Sequence, residues 1–195
     1  MLNEKEIAKL REDIVFTASL RGFQFTFHST WGIFSPRCID EGTELLLKYI
    51  EIDEDSDCLD LGCGYGPIGL TLARLAPAGH TTLVDKDFIA IEYSNKNALI
   101  NKITNASALL SNGFDQIRDK KFDIVVSNIP AKVGNEMLSL FLHDALKQLN
   151  PGGKLYIVTI NGLRDYMKRN FKEVFGNYKK LKQGKNYTVA MAEKI

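Results

Sequence analysis

Short apolar runs alternate along this chain with stretches of helical period. Phe23, Phe25 and Phe27 alternate with Gln24, Thr26 and His28, the two-residue period of a strand with one buried face. Residues 4–20 ahead of it are expected to be helical, and Trp31-Gly32-Ile33-Phe34 behind it to return as a second strand. Asp40 is placed to cap a helix that carries Leu45, Leu46, Tyr49 and Ile50 on its buried side. Regular alternation follows. Residues 58–60, 81–84, 106–110, 122–127 and 154–160 predict strands. Between them, Ile68, Leu72 and Leu75 stand at i, i+4 and i+7 behind Pro67, which suits a first helical turn. Residues 89–100 predict the next helix. Leu138, Phe141, Leu142, Ala145, Leu146 and Leu149 stripe another, stopped by Asn150-Pro151-Gly152-Gly153. A helix over 163–172 and a hairpin of 178–182 with 187–192 complete the pattern.

Such alternation predicts an α/β fold: a Rossmann-like, doubly wound, seven-stranded and mostly parallel sheet, with a C-terminal antiparallel hairpin and an N-terminal β lead-in. No repeat or linker interrupts it, so residues 1–195 are expected to form one domain, 1–39 as helix and β lead-in and 40–195 as core. Ligands of such sheets bind beyond the carboxyl ends of the strands, where the strand order reverses. At or just past those ends stand a cluster of glycines, Asp85, Asn112 and Asn128.

Composition narrows the class. Hydrophobic content of 45% and charged content of 25% are those of a globular protein. No apolar run approaches the roughly 18 residues of a membrane span, and the first residues lack the basic-then-apolar form of a signal peptide. Three cysteines, Cys38, Cys58 and Cys63, show no paired spacing, which argues against a disulfide framework or a zinc site and for a reducing, cytoplasmic setting without a metal. The net charge of +1 hides an asymmetry: residues 163–195 hold 9 Lys+Arg against 3 Asp+Glu, and residues 1–162 hold 16 against 21. Lys179, Lys180, Lys182 and Lys185 are either a solvated hairpin or an edge that attracts the phosphates of a nucleic acid.

Asp60-Leu61-Gly62-Cys63-Gly64-Tyr65-Gly66 carries the most chemical information. Alternating glycines let backbone turn sharply against a ligand, because no Cβ intervenes. A carboxylate two residues ahead would repel a pyrophosphate but suits a ligand that carries an ammonium and a sulfonium, which points to S-adenosylmethionine. Gly64-Tyr65-Gly66-Pro67-Ile68-Gly69 also fits the dinucleotide fingerprint, with Asp85 at a suitable distance. That reading leaves Asp60 and Gly62 without a role, and nothing later in the chain suits hydride transfer. Cys63 fills a place that needs a small side chain. His28, His80 and His143 fit structural or solvated positions better than catalytic ones.

The whole pattern resembles the class I S-adenosylmethionine-dependent methyltransferases, and within them the small methyltransferase domain of ribosomal RNA guanine-N2 methyltransferases. Three stretches carry the likeness: Gly32-Ile33-Phe34-Ser35 followed by Asp40-Glu41-Gly42-Thr43-Glu44-Leu45-Leu46-Leu47; the glycine loop; and Ser127-Asn128-Ile129-Pro130-Ala131. The resemblance implies that the cofactor lies against Asp60, Leu61, Gly62, Cys63, Gly64 and Gly66. It implies that Asp85, with Lys86 beside it, takes the ribose hydroxyls, and that Ser111, Asn112 and Gly113 border the adenine. Asn128, Ile129 and Pro130 would be the chemical centre. The Asn128 amide oxygen and the Ile129 carbonyl would accept the two N–H groups of an exocyclic amine and aim its lone pair at the methyl group, while Pro130 stiffens the loop. Ile129 replaces the family's first proline and Ala131 its frequent aromatic, so Trp31 or Phe34 would supply the stacking surface for the base. The implied partner is RNA, ribosomal or transfer, with guanine N2 the first acceptor. Adenine N6, a protein glutamine, or a cofactor-binding subunit without catalysis are the competing readings.

Overall fold

The computed structural model describes residues 3–129 and 134–195. A short helix α1 (Glu4–Leu10), closed by a capping box between Asn3 and Glu6, precedes an antiparallel hairpin of β1 (Ile14–Leu20) and β2 (Phe23–Ser29). The expected helix over 4–20 therefore ends early. From Ile14 onward the residues alternate between half-buried and exposed as a strand does, ending on buried Leu20, and β2 supplies the hydrogen-bonding partner that stabilises the strand. Arg21 and Gly22 both take positive φ, +52° and +87°, as a tight two-residue hairpin turn demands. Residues 31–34 form no second strand. Gly32 at φ +93° and Ser35 at φ +48° wind that segment into turns.

The core follows as α2 (Glu41–Leu47), β3 (Cys58–Leu61), α3 (Pro67–Leu75), β4 (Thr81–Asp85), α4 (Phe88–Ile100), β5 (Ala106–Leu110), β6 (Phe122–Asn128), α5 (Asn135–Gln148), β7 (Leu149–Ile160), a 3₁₀ turn (Asn161–Leu163), α6 (Arg164–Phe175), β8 (Lys179–Gln183) and β9 (Tyr187–Glu193). Strand β7 begins earlier than the sequence suggests: Asn150-Pro151-Gly152-Gly153 ends α5 but lies within the irregular start of the strand. The sheet order is β5-β4-β3-β6-β7-β9-β8, parallel through β7 and antiparallel in the last two strands. Winding reverses between β3 and β6, so a crevice must open at their carboxyl ends.

Alternate residues of each strand feed the two faces. Cys58, Leu83 and Val126 join Leu46, Leu70 and Phe27 under α2, α3 and the hairpin, whereas Leu59, Leu61, Val84 and Val125 join Leu142 and Phe171 under α5 and α6. Helix α4 departs from amphipathic form for a reason the period does not reveal. Asn97 accepts from the His28 N–H and donates to its carbonyl (2.8 and 2.9 Å), and Asn101 does the same to Thr26 (2.9 and 2.8 Å). Two amides one helical turn apart, about 6 Å, match two alternate residues of a strand, about 6.6 Å apart. They thereby substitute for a strand along the open edge of β2. Asp13 adds an ionic clasp: it accepts from His28 Nδ1 (2.6 Å), Tyr93 Oη (2.7 Å) and the Lys96 ammonium.

Candidate active site

A cavity of about 520 Å³ opens at the carboxyl ends of β3, β4, β5 and β6. The glycine loop forms one side. Gly62, Gly64 and Gly66 take φ of +79°, +56° and +95°, which a side chain would strain. The Gly62 and Cys63 N–H groups both donate to the Val84 carbonyl (2.9 and 3.0 Å), and the Gly64 N–H donates to Asp85 Oδ2 (3.0 Å). A Cβ on Gly62 would meet nothing within 4 Å, and one on Gly64 only Ile33 Cγ2 at 4.0 Å. Gly66 differs: its Cβ would press on Ser94 and Leu70, and it does not line the cavity. Two of the glycines therefore hold open a ligand's space, and the third serves packing.

Leu61 and Cys63 line the cavity from buried positions, and the Leu61 carbonyl accepts from Ser127 Oγ (2.7 Å). Cys63 packs against Ser94, and burial pushes its thiol well above the ordinary value, as suits a filler rather than a nucleophile. Asp60 does not reach the cavity wall. It shares a strand face with Cys58, is 1% exposed, and accepts from the Gly69 N–H (2.7 Å) in the first turn of α3. Among the described residues its other oxygen has no partner. Burial pushes the carboxyl up to about 7, against the lowering effect of the Gly69 N–H and with a further push from Asp85.

Asp85, at the end of β4, receives one backbone N–H on each oxygen, from Gly64 and from Asp87 (3.0 Å each), and both oxygens keep capacity for the hydroxyls of a diol. Lys86 follows, exposed at the rim. Ser111 is buried and spends its hydroxyl on the local turn, donating to the Gly113 carbonyl (2.8 Å) and accepting from the Gln116 N–H (3.1 Å). Exposed Asn112 and half-buried Gly113 complete that wall, with Phe141 3.0 Å from where a Gly113 Cβ would lie. A glycine-lined bend, a carboxylate at the next strand end and an unpartnered buried acceptor behind the bend suit a ligand carrying a ribose and a cationic amino-acid moiety.

The opposite side is made of side chains. Asn128 ends β6, and its amide nitrogen donates to Asp40 Oδ2 (2.9 Å) and Thr43 Oγ1 (3.0 Å). Tyr187 Oη donates to Asp40 Oδ1 (3.1 Å), and all four residues line the cavity. Ile129 is buried there, its N–H held by the Val158 carbonyl (3.0 Å). Pro130 and Ala131 lie outside the described residues. The sequence assigns Asp40 only a capping role and Thr43 and Tyr187 none. Their place in the site depends on α2, β6 and β9 meeting in space.

The two candidate aromatics part company. Phe34 is 66% exposed and lines the cavity; Trp31 is 47% exposed, lies outside the lining and stacks under the Arg37 guanidinium at 4.5 Å. The lead-in is tied over the cavity by Tyr65 of the glycine loop, whose hydroxyl donates to the Ser35 and Cys38 carbonyls (3.3 Å each) and whose ring meets Phe16 and Phe27 edge-on. Among the described residues no cluster of three His, Cys, Asp or Glu could hold a metal, and no helix is long and apolar enough to cross a membrane.

A reversing parallel sheet with this glycine bend and acidic β4 end defines the S-adenosylmethionine-dependent methyltransferase fold. The chain belongs to the methyltransferase small domain family, whose model matches residues 24–191. It is 32% identical over 180 residues to the uncharacterized protein YbxB of Bacillus subtilis, covering 90% of this chain and 89% of that one. It is 34% identical over 165 residues to the ribosomal RNA small subunit methyltransferase C of Hamiltonella defensa, covering 83% of this chain and 48% of that one. Among solved structures, the Thermus thermophilus 16S rRNA N2 G1207 methyltransferase, in complex with AdoMet and guanosine, superposes with a TM-score of 0.84 at 30% identity, over 93% of this chain and 50% of that one. The chain thus spans about half the length of these two methyltransferases and most of the Bacillus relative.

Proposed function

We propose that the chain transfers a methyl group from S-adenosylmethionine to an exocyclic amine of a nucleobase in RNA, guanine N2 of ribosomal RNA before others. The observation that carries this is Asn128. It lines the same cavity as the glycine bend, and both hydrogens of its amide are spent on Asp40 and Thr43. What remains for a substrate is an acceptor oxygen, which suits an amine. The methyl donor supplies an electrophilic carbon on a sulfonium. The amine nitrogen forms the new bond to that carbon as the carbon–sulfur bond breaks and its electron pair goes to sulfur. The nitrogen then sheds a proton to solvent.

Asn128 Oδ1 and the Ile129 carbonyl hold the two N–H bonds of the amine and aim its lone pair. Orientation of this kind supplies about 7–11 kcal/mol where geometry is good. Gly62 and Gly64 leave room for the donor's amino-acid portion, Asp85 takes its sugar, and Asn112 meets its base. Phe34 gives the target base a stacking face, worth about 1–3 kcal/mol in comparable sites. Trp31 and Arg37, just outside, meet the adjoining nucleotide. Lys185 stands near the mouth, because Asn161 holds its turn beside Ile160 and Tyr187. Lys179, Lys180 and Lys182 extend the basic edge along β8, where they also discourage pairing with a foreign strand.

Transfer of tritiated methyl groups to total RNA, DNA and protein tests the reading. Label in RNA, recovered as N2-methylguanosine, supports it. Label confined to DNA or protein overturns it in favour of an adenine or glutamine acceptor. No label alongside firm donor binding indicates a subunit without catalysis.

A further inference from the structure

We infer that Asp40, beyond capping α2, is a positioning residue that decides which atom of the Asn128 side chain the substrate meets. The inference rests on the reading of Asn128 as the acceptor for the amine. Asp40 Oδ2 accepts three hydrogen bonds: from the Gly42 N–H (2.9 Å), the Thr43 N–H (3.2 Å) and Asn128 Nδ2 (2.9 Å). Its Oδ1 accepts from Tyr187 Oη (3.1 Å). An asparagine amide has two orientations of almost the same shape, and only its hydrogen-bond partners choose between them. Facing a carboxylate, which only accepts, the amide turns its nitrogen inward and its oxygen outward. Thr43 Oγ1 takes the second amide hydrogen at 3.0 Å, but a hydroxyl can serve either orientation, so the choice falls to Asp40. With the opposite orientation, an N–H would meet the N–H of the amine and the lone pair would lose its guide.

The carboxylate is itself held. Its two backbone bonds tie one oxygen to the start of α2, and Tyr187 fixes the other from β9. Gly42 makes that arrangement possible: a Cβ there would lie 2.8 Å from Asp40 Oδ2 and 3.0 Å from Tyr187 Cδ1 and Cε1. Any side chain at 42 displaces the tyrosine ring, the carboxylate, or both. Asp40, Gly42, Thr43, Asn128 and Tyr187 thus form one hydrogen-bonded unit whose product is a single outward-facing oxygen.

Asp40→Ser separates capping from positioning. Serine caps a helix about as well as aspartate, but its shorter side chain cannot also reach Asn128. The expected result is a fall in kcat of about tenfold or more, with the KM for RNA and the calorimetric Kd of S-adenosylmethionine changed by less than about twofold. Asp40→Asn keeps an acceptor oxygen in place and recovers most of the loss. In an Asn128→Ala background Asp40→Ser costs nothing more, because the residue acts through Asn128. A readout free of turnover is the Asn128 side-chain amide resonance in a ¹H–¹⁵N spectrum, assigned by its disappearance in Asn128→Ala. It shifts in Asp40→Ser and stays in Asp40→Asn. Should Asp40→Ser fail to fold, Thr43→Val and Tyr187→Phe enter the same cycle and the same spectrum. Full additivity with Asn128→Ala, or an unmoved amide resonance, overturns the inference. Absence of methyl transfer by the unaltered protein would sink the functional reading instead, and the spectrum would still decide the orientation.

Discussion

The two sides of the cavity are built by different means. The side formed by β3 and β4 is largely backbone: Gly62 and Gly64 in left-handed conformations, their N–H groups and that of Cys63 pinned to Val84 and Asp85, and space where side chains would be. The side formed by β6 is a set of side chains from distant segments, with Asn128, Asp40, Thr43 and Tyr187 bonded to one another. A backbone cradle is insensitive to most substitutions except at its glycines. A side-chain network fails at any member. Donor binding and acceptor chemistry should therefore separate cleanly under mutation.

The sharpest break comes from Asn128→Ala. Turnover should fall by about 100-fold or more, equivalent to about 2.7 kcal/mol, with the donor's Kd unchanged by calorimetry. Equal losses in both would show that the two sides are one unit. Next in size is Asp60. Its folded-state carboxyl lies near 7, above the ordinary 3.8, so between those values the folded chain binds more protons than the unfolded one. Stability from this group is complete below about pH 4 and is lost as pH rises to about 7. Urea titrations across pH 4–8 should show that slope in the unaltered protein, and Asp60→Asn should flatten it. A slope that survives the substitution would assign it elsewhere. Donor binding at pH 7 should also release a proton, visible in calorimetry as a heat that depends on the buffer.

Gly62→Ala sharpens the contrast from the other side. A methyl group in the cradle and a strained φ should weaken donor affinity about tenfold, near 1.4 kcal/mol, and leave the rate of transfer at saturating donor within about threefold. The smallest effect belongs outside the cavity. Partial burial pushes the Asp13 carboxyl up, but bonds from Lys96, His28 and Tyr93 outweigh it and hold the group at about 2. Its stabilisation is present above about pH 4 and lost as pH falls toward 2. Because the clasp is partly exposed, Asp13→Asn should cost less than about 1 kcal/mol at pH 7 and soften the acid limb of the unfolding curve.

What the linear chain determined were features enforced within a few residues. Alternation marked β2 because neighbouring side chains on a half-buried strand must face opposite ways, short continuous apolar runs marked β4 and β6 because both their faces are covered, and Asp40 and Pro67 announced their helices because orphan N–H groups recur at every helix start. The glycine bend was legible because positive φ is a local demand. Tertiary structure decided the rest. Residues 14–20 became a strand only because β2 lay beside them, and 31–34 became turns where Gly32 and Ser35 take positive φ and Tyr65 ties the Ser35 and Cys38 carbonyls that follow. Asn97 and Asn101 gained their purpose from an open strand edge far away in the chain. The unit of Asp40, Thr43, Asn128 and Tyr187 exists only where α2, β6 and β9 converge, since a side-chain hydrogen bond is set by distance in space, on which sequence separation places no condition.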